Sequence, residues 1–186
     1  MTTITLILCL LSADEFPSGV RPHTIVSAGV KIRMPNGLGS GINTKLGVIT
    51  CAHVLIHRDV TVECEGEVGT AAVIQQDNTN DIAILRPNWK REHPTVSIRS
   101  TRPRIGDTLR SVARQNTGLL GVQNHKIVDW RVNVDYIVVD NPFNSGGTSG
   151  GGLIDDNGEL VGIISGNAIG KEPFEGLVIP LRHLAR

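Results

Sequence analysis

Three short segments carry residue types that hydrolytic chemistry needs. The first is Gly39-Ser40-Gly41-Ile42, followed by Gly47-Val48-Ile49-Thr50-Cys51-Ala52-His53-Val54, where an apolar strand ends in a small-residue turn bearing one histidine. The second, Asn80-Asp81-Ile82-Ala83-Ile84-Leu85, sets a carboxylate at the mouth of an apolar strand. The third, Gly146-Gly147-Thr148-Ser149-Gly150-Gly151-Gly152, places a serine inside a glycine cluster ahead of Leu153-Ile154. A serine hydroxyl is a weak nucleophile and needs a base, and histidine suits because its pKa lies near neutrality. The imidazole in turn needs a carboxylate to fix its tautomer and stabilise its cation. Glycines let backbone N–H groups crowd around a carbonyl that becomes an oxyanion. Each segment alone is weak; together they offer a base, an orienting acid and a nucleophile.

Other residues compete for these roles. Asp77 lies in the polar turn Gln75-Gln76-Asp77-Asn78-Thr79 and reads as solvated, whereas Asp81 opens an apolar strand. His53 and His57 are four apart, but a zinc protease would want Glu beside the first histidine, and Val54 stands there. No metal and no cofactor are expected, with or without Cys51 in the set. His23, His57, His93, His125 and His183 sit beside prolines, polar runs or the terminus and are expected at the surface. Of the cysteines Cys9, Cys51 and Cys64, the last two read as buried thiols; spacing leaves a disulfide between them open, and the absence of a CxxC pair gives a structural zinc no support.

The elements that must position these groups read as strands. The 186 residues balance 18 Lys and Arg against 18 Asp and Glu, which removes the electrostatic footprint of a nucleic-acid binder. Aromatics are 3%, so the core must be built from Val, Ile, Leu and Ala. From Thr24 to Met34 the pattern alternates, with Val26, Ala28, Val30, Ile32 and Met34 on one face and Lys31 and Arg33 on the other. Pro35-Asn36-Gly37 makes a turn. Short apolar runs follow at Gly47–Thr50, Asp59–Cys64, Thr70–Gln75 and Ile82–Leu85, then at Thr108–Ala113, Lys126–Val132, Val134–Val139, Gly152–Ile154, Leu160–Ser165 and Gly176–Ile179. Arg86 to Arg104 holds three prolines and little periodicity, and reads as a linker. Leu181–Arg186 looks helical for a turn. Two all-β halves follow, barrels or sandwiches, with no repeat visible between them. Ile4–Leu11 is far too short for a membrane span, which needs roughly 20 residues, but fits the apolar stretch of a secretory signal. The chain divides into a candidate signal peptide (1–13), an N-terminal unit (14–92) and a C-terminal unit (93–186), and a secreted or periplasmic location is expected.

The order His…Asp…Ser resembles that of the trypsin- and chymotrypsin-like serine proteases. The likeness is to the HtrA/Deg type of protease domain, without a PDZ domain. It rests on Gly39-Ser40-Gly41, Thr50-Cys51-Ala52-His53-Val54, Asn80-Asp81-Ile82-Ala83, Arg104-Ile105-Gly106-Asp107, Ser149-Gly150-Gly151, the hairpin Asp155–Ile163 and the closing Gly176-Leu177-Val178-Ile179-Pro180. The resemblance implies two six-stranded antiparallel Greek-key barrels with the site in the cleft between them. It makes His53 the general base, Asp81 its orienting acid and Ser149 the nucleophile. The N–H groups of Gly147 and Ser149 form the oxyanion hole, and Ile163, Ile164, Ser165, Gly166 and Asn167 line the cleft and pair with extended substrate. Ser145 also precedes two glycines, but Leu153-Ile154 and Gly158 fall in family register only from Ser149. Ser165 matches a position that supports the triad carboxylate in relatives; the plain alternative is a strand-end serine.

The implied activity is hydrolysis of peptide bonds in protein or peptide substrates; the alternative is a silent relative that binds peptides by strand addition. Phe143 stands near the position that is acidic in trypsin, which argues against Lys or Arg before the scissile bond and for small or medium apolar side chains. Thr148 replaces the usual Asp or Asn, and Gly152 a frequent Pro. With no carboxylate at 148 and no Ile-Val-Gly-Gly start, activation by an inserted N-terminus is not expected. The resemblance does not fix an oligomeric state.

Overall fold

The computed structural model describes residues 22–35, 37–55, 60–115, 120–131, 135–143, 146–167 and 175–184. Residues 1–13, with Cys9, lie outside these, as do His57 and Ser145. Alternating apolar residues build β1 (Gly29–Met34), where Val30 and Ile32 are fully buried and Arg33 is exposed. The alternation expected from Thr24 does not hold upstream of Gly29. Pro22–Ser27 is instead a short helix, α1, with proline at its first position. Ile25 is buried within it, and Ala28, whose N–H donates to the Thr24 carbonyl (3.0 Å), is buried just past its end.

The first barrel continues through β2 (Gly37–Thr44), β3 (Gly47–Thr50), β4 (Val60–Cys64), β5 (Glu67–Asp77) and β6 (Ile82–Pro87). The second is built from β7 (Thr108–Arg114), β8 (Leu120–Arg131), β9 (Tyr136–Val139), β10 (Gly152–Ile154), β11 (Leu160–Asn167) and β12 (Gly176–Pro180). Each is closed, in the orders β1-β2-β3-β6-β5-β4 and β7-β8-β9-β12-β11-β10. Closure gives every strand two neighbours, but Gly166 and Asn167 at the end of β11 run past β10 and pair with β12 alone. Both barrels follow one topological path although their sequences share no visible repeat. The glycine-rich β2 gives no alternating signal, because it carries no apolar residue at every second position, while β5, expected over Thr70–Gln75, extends to Glu67–Asp77.

The core of the second barrel includes Leu109, Ile127, Ile137, Leu153, Ile164 and Val178. The core of the first, around Ile32, Ile42, Ile49 and Leu85, runs on without a break into Ile154, Leu160, Ile163 and Ile179 of the second. The connecting segment is pinned to both barrels at two adjacent residues. Val96 N–H donates to the Asn43 carbonyl (3.1 Å), and Leu160 N–H donates to the Ser97 carbonyl (2.7 Å).

Two histidines expected at the surface are buried. His93 sits with its ring nitrogens 3.3 Å from Glu65 and 3.1 Å from Glu67, edge-on to Trp89. His125 has Nε2 at 3.0 Å from Ser111 Oγ and packs against the Phe143 ring. Both ring nitrogens of His93 have carboxylate partners, whereas His125 is held through Nε2 alone and its buried Nδ1 has no hydrogen-bond partner among the described residues; sequence neighbours do not reveal these contacts. The side chains of His23 and His183 lie outside the description. Cys51 and Cys64 are buried free thiols. No helix among the described residues is long and apolar enough to cross a membrane.

Leu160 is fully buried where the two cores merge. Leu160→Ala is expected to cost about 2–5 kcal/mol, read as a lowered midpoint in denaturant unfolding; a loss well under 1 kcal/mol would show that the barrels do not depend on this contact.

Candidate active site

β3 ends at Thr50, and the chain turns through a single 3-10 turn at Ala52–Val54. Ala52 and Val54 are buried, so His53 between them projects outward with its side chain about half exposed (49%). Ala52 N–H donates to the Asp81 carbonyl (3.1 Å), which fixes the turn against the start of β6. Asp81 itself lies in the left-handed region (φ +55), a backbone cost for a non-glycine residue that recurs at functional sites. The neighbouring Asp77 is occupied otherwise: its carboxylate accepts from the N–H groups of Thr79 (2.9 Å) and Asn80 (3.0 Å) and shapes the turn.

The Asp81 carboxylate is well engaged. Oδ1 accepts from His53 N–H (2.9 Å), and Oδ2 lies 2.8 Å from His53 Nδ1. Ser165 Oγ donates to the same Oδ2 (3.3 Å). An ionised carboxylate only accepts, so Nδ1 carries a proton and Nε2 of the neutral ring is the free base. Burial works to raise the Asp81 carboxyl, but the hydrogen bonds from the His53 ring and backbone and from Ser165 outweigh it and hold it below its ordinary range. The same hydrogen bond raises His53 above its ordinary value of 6.5, against the opposing effect of burial. Cys51 Sγ donates to the Ile164 carbonyl (3.1 Å) behind this pair. Burial, and then the Asp81 charge, push its thiol well up, so it stays protonated. Cys51, His53 and Asp81 present donor atoms within 4.8 Å of one another.

Ser149 comes from the other barrel, in the loop that feeds β10. The loop bends through two left-handed glycines, Gly147 (φ +88) and Gly150 (φ +84). A Cβ on Gly150 would collide with the Ser40 carbonyl and with Thr50 Oγ1, so the close approach of the barrels requires glycine there. Thr148 carbonyl accepts from Gly151 N–H (2.9 Å), and Gly150 N–H donates to the Ile164 carbonyl (2.8 Å). In a planar trans peptide the Ser149 N–H points away from the Thr148 carbonyl. Neither it nor the Gly147 N–H has an acceptor among the described residues. The Ser149 hydroxyl donates to the Ser165 carbonyl (3.3 Å). Ser165 thus touches both Asp81 and Ser149.

Beside Ser149 lies an open recess of about 300 Å³, lined by Phe143, Gly146, Gly147, Thr148, Ser149, Gly166 and Asn167. The Asn167 amide clasps the Phe143 backbone twice, accepting from its N–H (2.8 Å) and donating to its carbonyl (3.1 Å). The Phe143 ring lies over Gly176, where an added Cβ would come within 2.6 Å of it. Behind the ring stands His125, kept neutral by burial, which lowers its pKa. Of the remaining cleft candidates, Ile163 and Ile164 turn their side chains into the core, and only Gly166 and Asn167 of that strand line the recess. The Asn167 clasp had no signal in the sequence, since its partner is 24 residues away.

Residues 38–163 match the trypsin-like peptidase domain family, and the chain belongs to it. It is 30% identical over 138 residues to the serine endoprotease DegS of Escherichia coli (strain K12), covering 68% of this chain and 39% of DegS. It is 29% identical over 156 residues to the putative protease Do-like 14 of Arabidopsis thaliana, covering 71% of this chain and 36% of that protein. The chain therefore spans less than half the length of these curated relatives. Among solved structures it is similar to the serine endoprotease from Yersinia pestis, with a TM-score of 0.73 at 25% identity over 88% of this chain and 64% of that one. The active form of Rv3671c protease from M. tuberculosis shares the fold, with a TM-score of 0.76 at 23% identity over 88% and 80% of the two chains. These likenesses make the chain a trypsin-like serine protease domain with HtrA/Deg-type relatives.

The Asp81 hydrogen bond sets a testable titration. By NMR, the His53 imidazole is expected to titrate above 6.5, and Asp81→Asn is expected to bring it down by removing the charge that favours the imidazolium. A His53 titration at or below 6.5 in the unmodified protein would contradict the geometry.

Proposed function

We propose that the chain is a serine endopeptidase that cleaves proteins or peptides through an acyl-enzyme. The observation that carries this reading is a juxtaposition: the His53–Asp81 pair of one barrel meets the Ser149 loop of the other across Ser165, which hydrogen-bonds to both. Ser149 Oγ attacks the substrate carbonyl carbon and gives its proton to His53 Nε2. The attack requires the hydroxyl to leave the Ser165 carbonyl and turn to His53. The new oxyanion accepts from the Gly147 and Ser149 N–H groups. Collapse of the tetrahedral intermediate breaks the C–N bond as His53 returns the proton to the leaving amine. Water then attacks the ester by the same route. Asp81 stays ionised throughout and stabilises the imidazolium. An extended substrate adds alongside Ser165, Gly166 and Asn167, a mode that reads peptide backbone rather than one sequence.

The recess next to Ser149 supports small or medium apolar side chains before the scissile bond. Among the described residues its lining includes Phe143 and no carboxylate, and Asn167 is held there by its two bonds to the Phe143 backbone. The apolar run Ile4–Leu11 supports export. No cofactor and no nucleic-acid partner enter this reading.

Fluorophosphonate labelling with the modified residue mapped by mass spectrometry is the direct test. The label is expected on Ser149, and Ser149→Ala is expected to lower kcat by about 10⁶. Label on Ser145 would move the nucleophile, and folded protein that takes no label at pH 8 would favour a peptide-binding domain instead. Specificity gives a second test. Asn167→Gly is expected to raise kcat/KM for a Leu substrate relative to an Ala substrate by about 10-fold, the scale set by methylene fit; an unchanged ratio would clear Asn167 of that role.

A further inference from the structure

Ser40 is fully buried on β2 of the first barrel, yet most of its polar contacts reach the second. Its N–H donates to the Ser149 carbonyl (2.8 Å). Its hydroxyl donates to the Gly147 carbonyl (2.7 Å), with the Arg114 carbonyl farther off at 3.2 Å. The same oxygen accepts from Arg114 N–H (2.7 Å). Its own carbonyl accepts from Thr50 Oγ1 (2.7 Å), on the turn that leads to His53. One residue therefore fastens the carbonyls of Gly147 and Ser149, the first through its hydroxyl and the second through its backbone N–H.

We infer that Ser40 is a positioning residue that holds the Gly147–Ser149 loop in its oxyanion-binding geometry, a role that rests on the catalytic reading. The physical argument is local. The plane between residues 147 and 148 is held by the Ser40 hydroxyl, and the plane between 149 and 150 by the Ser40 N–H. The plane between 148 and 149, held by Gly151, lies between them. Gly147 has no Cβ and sits at φ +88, so nothing intrinsic to it resists rotation. Without the hydroxyl, the Gly147 carbonyl and the Arg114 N–H lose buried partners, and the loop gains a reason to rotate toward water. The donors would then miss the oxyanion while the ground-state cleft stays intact. Gly39-Ser40-Gly41 thus has a use beyond a tight strand.

The test compares wild type, Ser40→Ala and Ser40→Cys, the last close in size but a weak donor. Both variants are expected to lose kcat by about 10- to 100-fold with KM nearly unchanged, less than the 10²–10³ seen when an oxyanion donor itself is removed. Inhibition by a peptide boronic acid, which forms a tetrahedral adduct, is expected to weaken in parallel. The acid limb of the pH profile, which reads His53 and Asp81, is expected to stay in place. A reactive wild type with equally reactive folded variants overturns the role of Ser40 alone, and so does a loss of thermal stability with kcat and boronate affinity preserved. A folded wild type that neither cleaves peptides nor takes a fluorophosphonate overturns the catalytic reading and this role with it. Should Ser40→Ala fail to fold, Ser40→Cys carries the same comparison.

Discussion

Neither barrel contains the whole site, so its geometry depends on how firmly the loop around Ser149 is fastened to the strand edge of its neighbour. The seam at Ser40 supplies that fastening through backbone and side chain together. Thr50 continues it toward the His53 turn, and Gly150 allows it, because any side chain there would push the two apart. Apolar contacts alone would leave room for sliding, since burial is non-directional. Hydrogen bonds buried in the seam resist that sliding, because each one broken leaves a desolvated group unsatisfied.

The electrostatics follow from the same packing. Asp81 is drawn into a left-handed conformation at the start of β6, where it meets His53 twice and Ser165 once. These bonds keep the carboxylate ionised despite partial burial, and the carboxylate in turn favours the imidazolium. Cys51, a potentially reactive thiol a few ångströms away, is silenced by that burial and by the charge beside it. The two side chains are set apart by their surroundings: the Cys51 thiol is sealed in the core and Ser149 stands at the recess.

The parts of the site that are local in sequence were legible. His53 follows a strand end, Asp81 opens one and Ser149 lies among glycines, so residue type and punctuation mark all three. Most strands were legible for a similar reason, since apolar runs of the right length are bounded by turn residues. The strand expected at Thr24 begins only at Gly29, because Ile25 is buried from a turn of helix, α1, while Val26 is not. β2 carries too many glycines to announce itself, and β5 runs beyond the expected Thr70–Gln75 at both ends. His93 and His125 looked exposed because their partners, Glu65, Glu67 and Ser111, arrive from other strands.

The all-β character, the aliphatic core, the balanced net charge and the three chemistry-bearing segments in their order are written in the sequence. Those properties depend on composition and on neighbours along the chain. The tertiary structure alone decided the shared strand order of the barrels, the meeting of Ser165 with both Asp81 and Ser149, the Asn167 clasp on Phe143 and the Ser40 seam. The contacts that join the two barrels or cross the recess link residues 16 to 109 positions apart, from Ser149–Ser165 to Ser40–Ser149. Hydrogen bonds and buried contacts depend on distance in space, and closing a barrel sets those distances in ways that no local pattern encodes.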